Sequence, residues 1–118
     1  MDIMEQTPNQ EIELLHQPFV GLSNPLKSDK ETELVIKVGR IPHPMEINHH
    51  IEWIEIFQDG KLIQKREFDP SLDREAITFL VINPQENFNL EIKAKCNLHG
   101  IWSKTISQDD LKDLEVIQ

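Results

Sequence analysis

The chain has 118 residues, enough for one core and too few for two domains of ordinary size. Its 21 acidic residues against 12 basic ones leave a net charge of -9, which excludes the concentrated positive surface that a nucleic-acid partner requires. No apolar run approaches the roughly 20 residues that span a bilayer, and "MDIMEQTPNQ" has neither the basic nor the apolar part of a secretory leader, so a soluble, cytoplasmic chain with no membrane partner is expected.

In chain order, residues 1–11 read as a loose polar arm, residues 12–106 as the folded domain and residues 107–118 as a C-terminal tail. From residue 12 onward the apolar residues come in short runs separated by turn chemistry, which is a strand signature. His16, in "LLHQPF", follows two leucines, a setting that suits a histidine packed at the edge of a core. "ELVIKVG" (33–39) puts Leu34, Ile36 and Val38 on one face, with Val35 and Lys37 on the other, and so predicts a strand with one buried face. "HIEWIEIF" (50–57) and "KLIQKREF" (61–68) flank Asp59-Gly60, a pair suited to the positive φ angles of a tight hairpin turn. "AITFLVI" (76–82) and "FNLEIKAKC" (88–96) read as a second pair turning at "NPQEN", and "IWSKTI" (101–106) as one more short strand. The tail "SQDDLKDLEVIQ" offers Ser107 as an N-cap with Asp109 and Asp110 in the first turn, so a short terminal helix is expected. Regular short strands without a long helical pattern predict an all-β fold, a single-domain antiparallel β-sandwich.

The chemistry-bearing residues are histidines and one thiol. In "PHPMEINHH", His43 and His49 are six residues apart, which spans roughly 20 Å in a strand and turns about 600° in a helix. They can meet only across a reversing loop, and Pro42 and Pro44 keep a helix from running through His43. Taken alone, the spacing is explained more simply by two surface histidines in a polar loop. His50 directly follows His49 and, if extended, faces the other way, so one of the two at most is a ligand. "CNLHGIW" places Cys96 three residues ahead of His99, with Gly100 free to take positive φ as the loop closes. A single cysteine forms no internal disulfide. This spacing fits either a metal-binding pair or a buried thiol beside a core histidine. Met45, Trp53 and Trp102 read as packing residues. No nucleophile elbow, phosphate loop, glycine-rich dinucleotide turn or CxxC pair is present.

"HQP" at 16–18, "VG" at 38–39, "HPMEINHHIEWIE" at 43–55 and "CNLHGIW" at 96–102 together resemble the iron module of the superoxide reductase family, the neelaredoxins and desulfoferrodoxins. The resemblance runs from about residue 12 to residue 106, and its last two stretches are the specific part. It implies an immunoglobulin-like β-sandwich. It also implies one iron, Fe2+/Fe3+, with His16, His43, His49 and His99 as nitrogen ligands and Cys96 as the axial thiolate. The activity implied is one-electron reduction of superoxide to hydrogen peroxide, with rubredoxin as the expected electron donor and a homo-oligomer, tetramer or dimer, as the expected assembly. With one cysteine, the chain looks like the single-iron, neelaredoxin-type form.

One departure stands out. The family commonly has Glu-Lys immediately before the first histidine, the Glu capping oxidised iron and the Lys attracting superoxide; here those positions are Leu14 and Leu15. Lys27, Lys30 and Arg40 are the basic residues within reach along the chain, and Glu13 the nearest carboxylate. Two other readings compete. A cupredoxin-like electron carrier also combines Cys, His and a small β-sandwich, although no methionine follows His99. A binding module with a closed, tetrahedral structural metal site needs only four ligands.

Overall fold

The computed structural model describes residues 15–27 and 30–117, so the expected arm over residues 1–11, together with Glu13 and Leu14, lies outside the described residues. The described residues form seven strands: β1 (Pro18–Leu22), β2 (Thr32–Val38), β3 (Ile51–Gln58), β4 (Lys61–Glu67), β5 (Ile77–Ile82), β6 (Asn89–Cys96) and β7 (Gly100–Ser107). They build two antiparallel sheets, ordered β1-β2-β5 and β4-β3-β6-β7, which pack face to face as an immunoglobulin-like β-sandwich.

Strand alternation explains the core. Leu34, Ile36 and Val38 of β2 face Ile54 and Ile56 of β3 and Leu90, Ile92 and Ala94 of β6, all buried in one cluster. Each large aliphatic side chain removed from water in this way contributes roughly 1.5–3 kcal/mol before its ordering cost. The β3–β4 hairpin turns where expected, with φ of 49° at Asp59 and 86° at Gly60, the paired positive angles of a type I′ turn.

Three features differ from the sequence expectation. β5 and β6 do not pair: β5 bonds to β2 in one sheet while β6 lies between β3 and β7 in the other. Alternation marks the face a strand buries but not the neighbour that takes its hydrogen bonds. The "NPQEN" segment, folded on Asn83 through its bonds to the backbone N–H groups of Gln85 and Glu86, therefore crosses between sheets. Val35, expected on an open face, is buried; its cross-strand neighbours are Gly21, against which Ile117 packs, and Phe79. β1 was not anticipated, since Gly21 interrupts its short apolar run. A Cβ there would lie 2.3 Å from Cδ1 of Ile117, which a side-chain turn could relieve, and 2.9 Å from the backbone carbonyl oxygen of Glu115, which it could not.

The tail opens with a 3-10 helix, Gln108–Asp113, at whose start the Asp110 carboxylate accepts bonds from the Ser107 N–H (2.8 Å) and hydroxyl (3.2 Å). The chain then runs beside β1. Leu22 donates to Glu115 (2.8 Å) and accepts from Ile117 (2.7 Å), a parallel bridge to Val116.

Register decides which loops meet. Pro18 pairs with Val38 at one end of the sandwich and Leu22 with Leu34 at the other. His16, the segment after Val38, the entry to β3 and the β6–β7 turn therefore share one end. The β1–β2 connection, with Lys27 and Lys30, belongs to the opposite end, roughly 13 Å away along a five-residue strand. At the shared end Gln17 Nε2 donates to the Ser103 carbonyl (2.7 Å), tying β1 to β7, and the Gly39 N–H donates to the Gln17 carbonyl (3.0 Å).

Gly39 is the tightest of these contacts. Its φ is 82°, and a Cβ would meet the carbonyl oxygens of both Leu15 and Ile41 at 2.4 Å. Gly60 has a similar φ of 86° with nothing within 4 Å of that position. Gly39→Ala should therefore cost about 3 kcal/mol or more and Gly60→Ala only about 1 kcal/mol, the backbone term alone. Urea unfolding of the two variants checks the difference, and equal losses would overturn it.

Candidate metal centre

Three segments of the shared end deliver the donors. Leu15 and His16 have helical backbone directly ahead of β1. His43 sits between the two prolines, beyond the Gly39 turn. His49 closes a small loop in which Glu46 and His49 exchange backbone hydrogen bonds of 2.9 and 3.0 Å. Cys96 ends β6, and His99 precedes Gly100, whose φ of 82° lets the turn into β7 close.

The ligand-capable atoms of His16, His49, Cys96 and His99 lie within 4.8 Å of one another. His43 adjoins this group: its Nε2 is 3.0 Å from Nε2 of His16, and the two rings are edge-to-face at 4.6 Å between centroids. Sγ of Cys96 is 3.7 Å from Nδ1 of His99. All five predicted ligands thus converge, and the structure gathers four as a compact set with His43 at its flank. His50 turns away, its Nδ1 within 3.1 Å of the Glu46 carbonyl. The reversing loop that the His43–His49 spacing required is the one formed.

Hydrogen bonding fixes how the rings present themselves. A carbonyl oxygen can only accept, so the 2.7 Å contact between His43 Nδ1 and the Pro44 carbonyl places the proton on Nδ1 and leaves the Nε2 lone pair facing His16. His16 and His43 are 1% and 4% exposed. Nε2 of His49 is buried with no hydrogen-bond partner. An orphaned buried nitrogen is costly in a structure without a reason for it. A cation taking lone pairs from His49, His16 and His43 supplies that reason. Two nitrogens each about 2.1 Å from one ion, at right angles, would lie about 3 Å apart, which matches the His16–His43 separation. Two imidazole-rich loops and one thiolate suit a transition metal and not the oxygen-loving calcium or magnesium.

Trp102 closes one side. Its ring stacks on His16 at 5.2 Å between centroids with the planes 20° apart, and its Nε1 donates to the His99 carbonyl at 3.1 Å. The sequence suggests Trp102 as a packing residue that shields the loop, and its contacts are to two candidate ligands. Arg40 does not face the centre: its guanidinium lies over Phe19, 4.8 Å from the ring centroid, and 3.4 Å from Glu115. Met45 packs against the hydrophobic core.

The desulfoferrodoxin family model matches residues 5–105. The chain belongs to the desulfoferrodoxin family. Among relatives of this superoxide reductase and neelaredoxin group, a desulfoferrodoxin homolog of Methanothermobacter thermautotrophicus is 34% identical over 104 residues, covering 80% of this chain and 75% of the relative. A superoxide reductase of Thermococcus kodakarensis is 33% identical over 96 residues, covering 70% and 82%. The superoxide reductase structure from Treponema pallidum aligns with TM-score 0.57 at 27% identity, over 78% of this chain and 67% of that one. The neelaredoxin from Ignicoccus hospitalis aligns with TM-score 0.62 at 24% identity, over 86% and 81%, a likeness of fold. This desulfoferrodoxin-family chain has no helix among its described residues long and apolar enough to cross a membrane.

Burial holds the His43 pKa down at about 4, with the neighbouring rings of His16, His49 and His99 acting in the same direction and the bond to Pro44 opposing. The unfolded chain binds this proton near pH 6.5, so between pH 6.5 and 4 it carries more protons than the native state and stability rises with pH. The metal-free protein should therefore lose up to about 3 kcal/mol as pH falls through that window. His43→Gln should flatten the dependence in urea unfolding at pH 7, 6, 5 and 4; an unchanged slope would remove His43 as its source.

Proposed function

We propose that this chain is a superoxide reductase that reduces superoxide by one electron to hydrogen peroxide at a mononuclear non-haem iron held by His16, His43, His49, His99 and Cys96. The observation that carries this reading is the gathering of those donors at one end of the sandwich, where Nε2 of His49 is buried without a partner. Iron bound there would alternate between ferrous and ferric forms and supply one electron, the superoxide leaving as hydrogen peroxide once two protons are added.

The protein's own groups shape that chemistry. Buried Cys96 is the one sulfur donor in the set, and a thiolate bound there would raise the electron density at the metal. The Nδ1–H bond to Pro44 orients His43, as hydrogen bonding of the distal ring nitrogen does for metal-bound histidines generally. Trp102 limits solvent on the His16 side, while His99 is exposed and marks the side open to small anions and to a one-electron donor such as rubredoxin. Leu15 stands where the family's lysine is expected, Lys27 and Lys30 lie at the other end of the sandwich, and Arg40 is turned to Glu115. An anion approaching this chain of net charge -9 thus has no matching local attraction from those residues.

The test is metal analysis with visible spectra before and after oxidation. One iron per chain, with an absorption band from ferric-thiolate charge transfer that vanishes on reduction, is the expected result. Because four donors form the tighter set and His43 sits at their flank, a closed structural zinc site is the second reading. Stoichiometric, colourless zinc in its place would establish that reading instead. His16→Ala should lose the bound iron while His50→Ala retains it, measured as metal content after gel filtration.

A second expectation concerns the missing lysine. Leu15→Lys should raise the rate of superoxide consumption about 3- to 10-fold at low ionic strength, with the gain shrinking as salt is added. Stopped-flow or pulse-radiolysis rates at two salt concentrations decide it; a gain independent of salt would rule out electrostatic attraction.

A further inference from the structure

The loops that carry the candidate ligands come from distant parts of the chain, and one side chain joins two of them. Asn97 lies between Cys96 and the turn to His99. Its Oδ1 accepts the backbone N–H of His50 (2.9 Å), its Nδ2 donates to the carbonyl of Asn48 (3.3 Å), and its own backbone N–H donates to the carbonyl of His50 (3.1 Å). The three bonds enclose His49 from both sides, binding residue 48 before it and residue 50 after it.

The neighbouring ladder does this only in part. β3 and β6 are in register from Trp53 onward, but the pairing is irregular between Ile51 and Trp53, just where the His49 loop feeds into β3. Beyond Ile51, which pairs with Cys96, a single backbone bond, from the Asn97 N–H to the His50 carbonyl, is what remains of the ladder. The amide of Asn97 takes over there, with a donor and an acceptor in the one planar group. Alanine at this position would leave the His50 N–H and the Asn48 carbonyl to find water, and would free the loop to move relative to Cys96.

We infer that Asn97 is the positioning residue that sets His49 against Cys96 and His99, and so determines how tightly and in what geometry the centre holds a metal. This rests on the metal-centre reading above. The relative strengths of the contacts rank the variants: Asn97→Asp keeps the shorter bond, from the His50 N–H, and loses the longer one, whereas Asn97→Ala loses both.

The experiment uses the full chain and Co2+ as the probe, read by the near-ultraviolet thiolate-to-cobalt band, with circular dichroism confirming the fold and thermal unfolding of the metal-free protein alongside. Asn97→Ala should weaken Co2+ binding about 10- to 100-fold and shift or broaden the band, the range found when partners behind metal ligands are removed. Asn97→Asp should recover most of the affinity. Leu111→Ala, a buried substitution in the 3-10 helix, serves as a variant of comparable thermal loss and should bind Co2+ as the unmodified chain does. If Asn97→Ala binds Co2+ with unchanged affinity and spectrum, or no more weakly than Leu111→Ala, the inference fails and the metal-centre reading stands. If Asn97→Ala does not fold, Asn97→Asp and Asn97→Ser carry the same comparison. If the unmodified chain gives no thiolate band with Co2+, the metal-centre reading itself fails.

Discussion

Four imidazoles and a thiol crowd one end of this sandwich, with two ring nitrogens 3.0 Å apart and a third buried without a partner. Left metal-free, such a group works against folding, because polar atoms withdrawn from water need partners. Much of the surrounding structure makes sense as the framework that keeps these donors together. Hydrogen bonds and ring contacts orient the imidazoles, while Cys96 packs within the aliphatic core. The Pro44 carbonyl holds one ring, Trp102 lies against another, and Gly39 admits the Leu15 carbonyl where a side chain would exclude it.

The sandwich divides its labour between its ends. Its aliphatic core is continuous from Val38 to Ile106 and supplies the stability that a polar, loop-built end cannot. At the donor end, β1 and β7 belong to different sheets, and Gln17 spans them through the Ser103 carbonyl. That bond places the segment carrying His16 beside the strand carrying Trp102. The outer face of the four-stranded sheet has another character, with Lys65 near Glu55 and the Trp53 ring, Lys95 near Glu52, and Lys93 over Phe57. Such exposed pairs add little stability and keep that face solvated.

Much of this was legible in the residues. The 2-residue alternation marked β2, β3, β4, β6 and β7, and Asp59-Gly60 marked the hairpin, because these signals are local. The resemblance carried by "HPMEINHH" and "CNLHGIW" named the five donors that the fold then brings together. What stayed hidden depends on partners far along the chain. β1 is short and broken by Gly21, and what crowds that glycine lies in the tail, at Glu115 and Ile117. The pairing of β5 with β2 and not β6 is a choice between neighbours that alternation does not encode. Asn97 could be seen as a loop residue, but its bonds to positions 48 and 50 are visible only in three dimensions. Arg40 looked available to the centre by proximity in sequence, and Phe19 and Glu115 claim it instead.

The short parallel pairing of residues 115–117 with β1 bears on how the molecule meets others of its kind. β1 is the outermost strand of a three-stranded sheet, and an outermost strand exposes unsatisfied amides and carbonyls that invite strand addition from another chain. Here Glu115 and Ile117 occupy the Leu22 end of that border, and the Ile117 side chain fills the space that Gly21 leaves open. Residues 115–117 thus act as a guard against edge-to-edge aggregation.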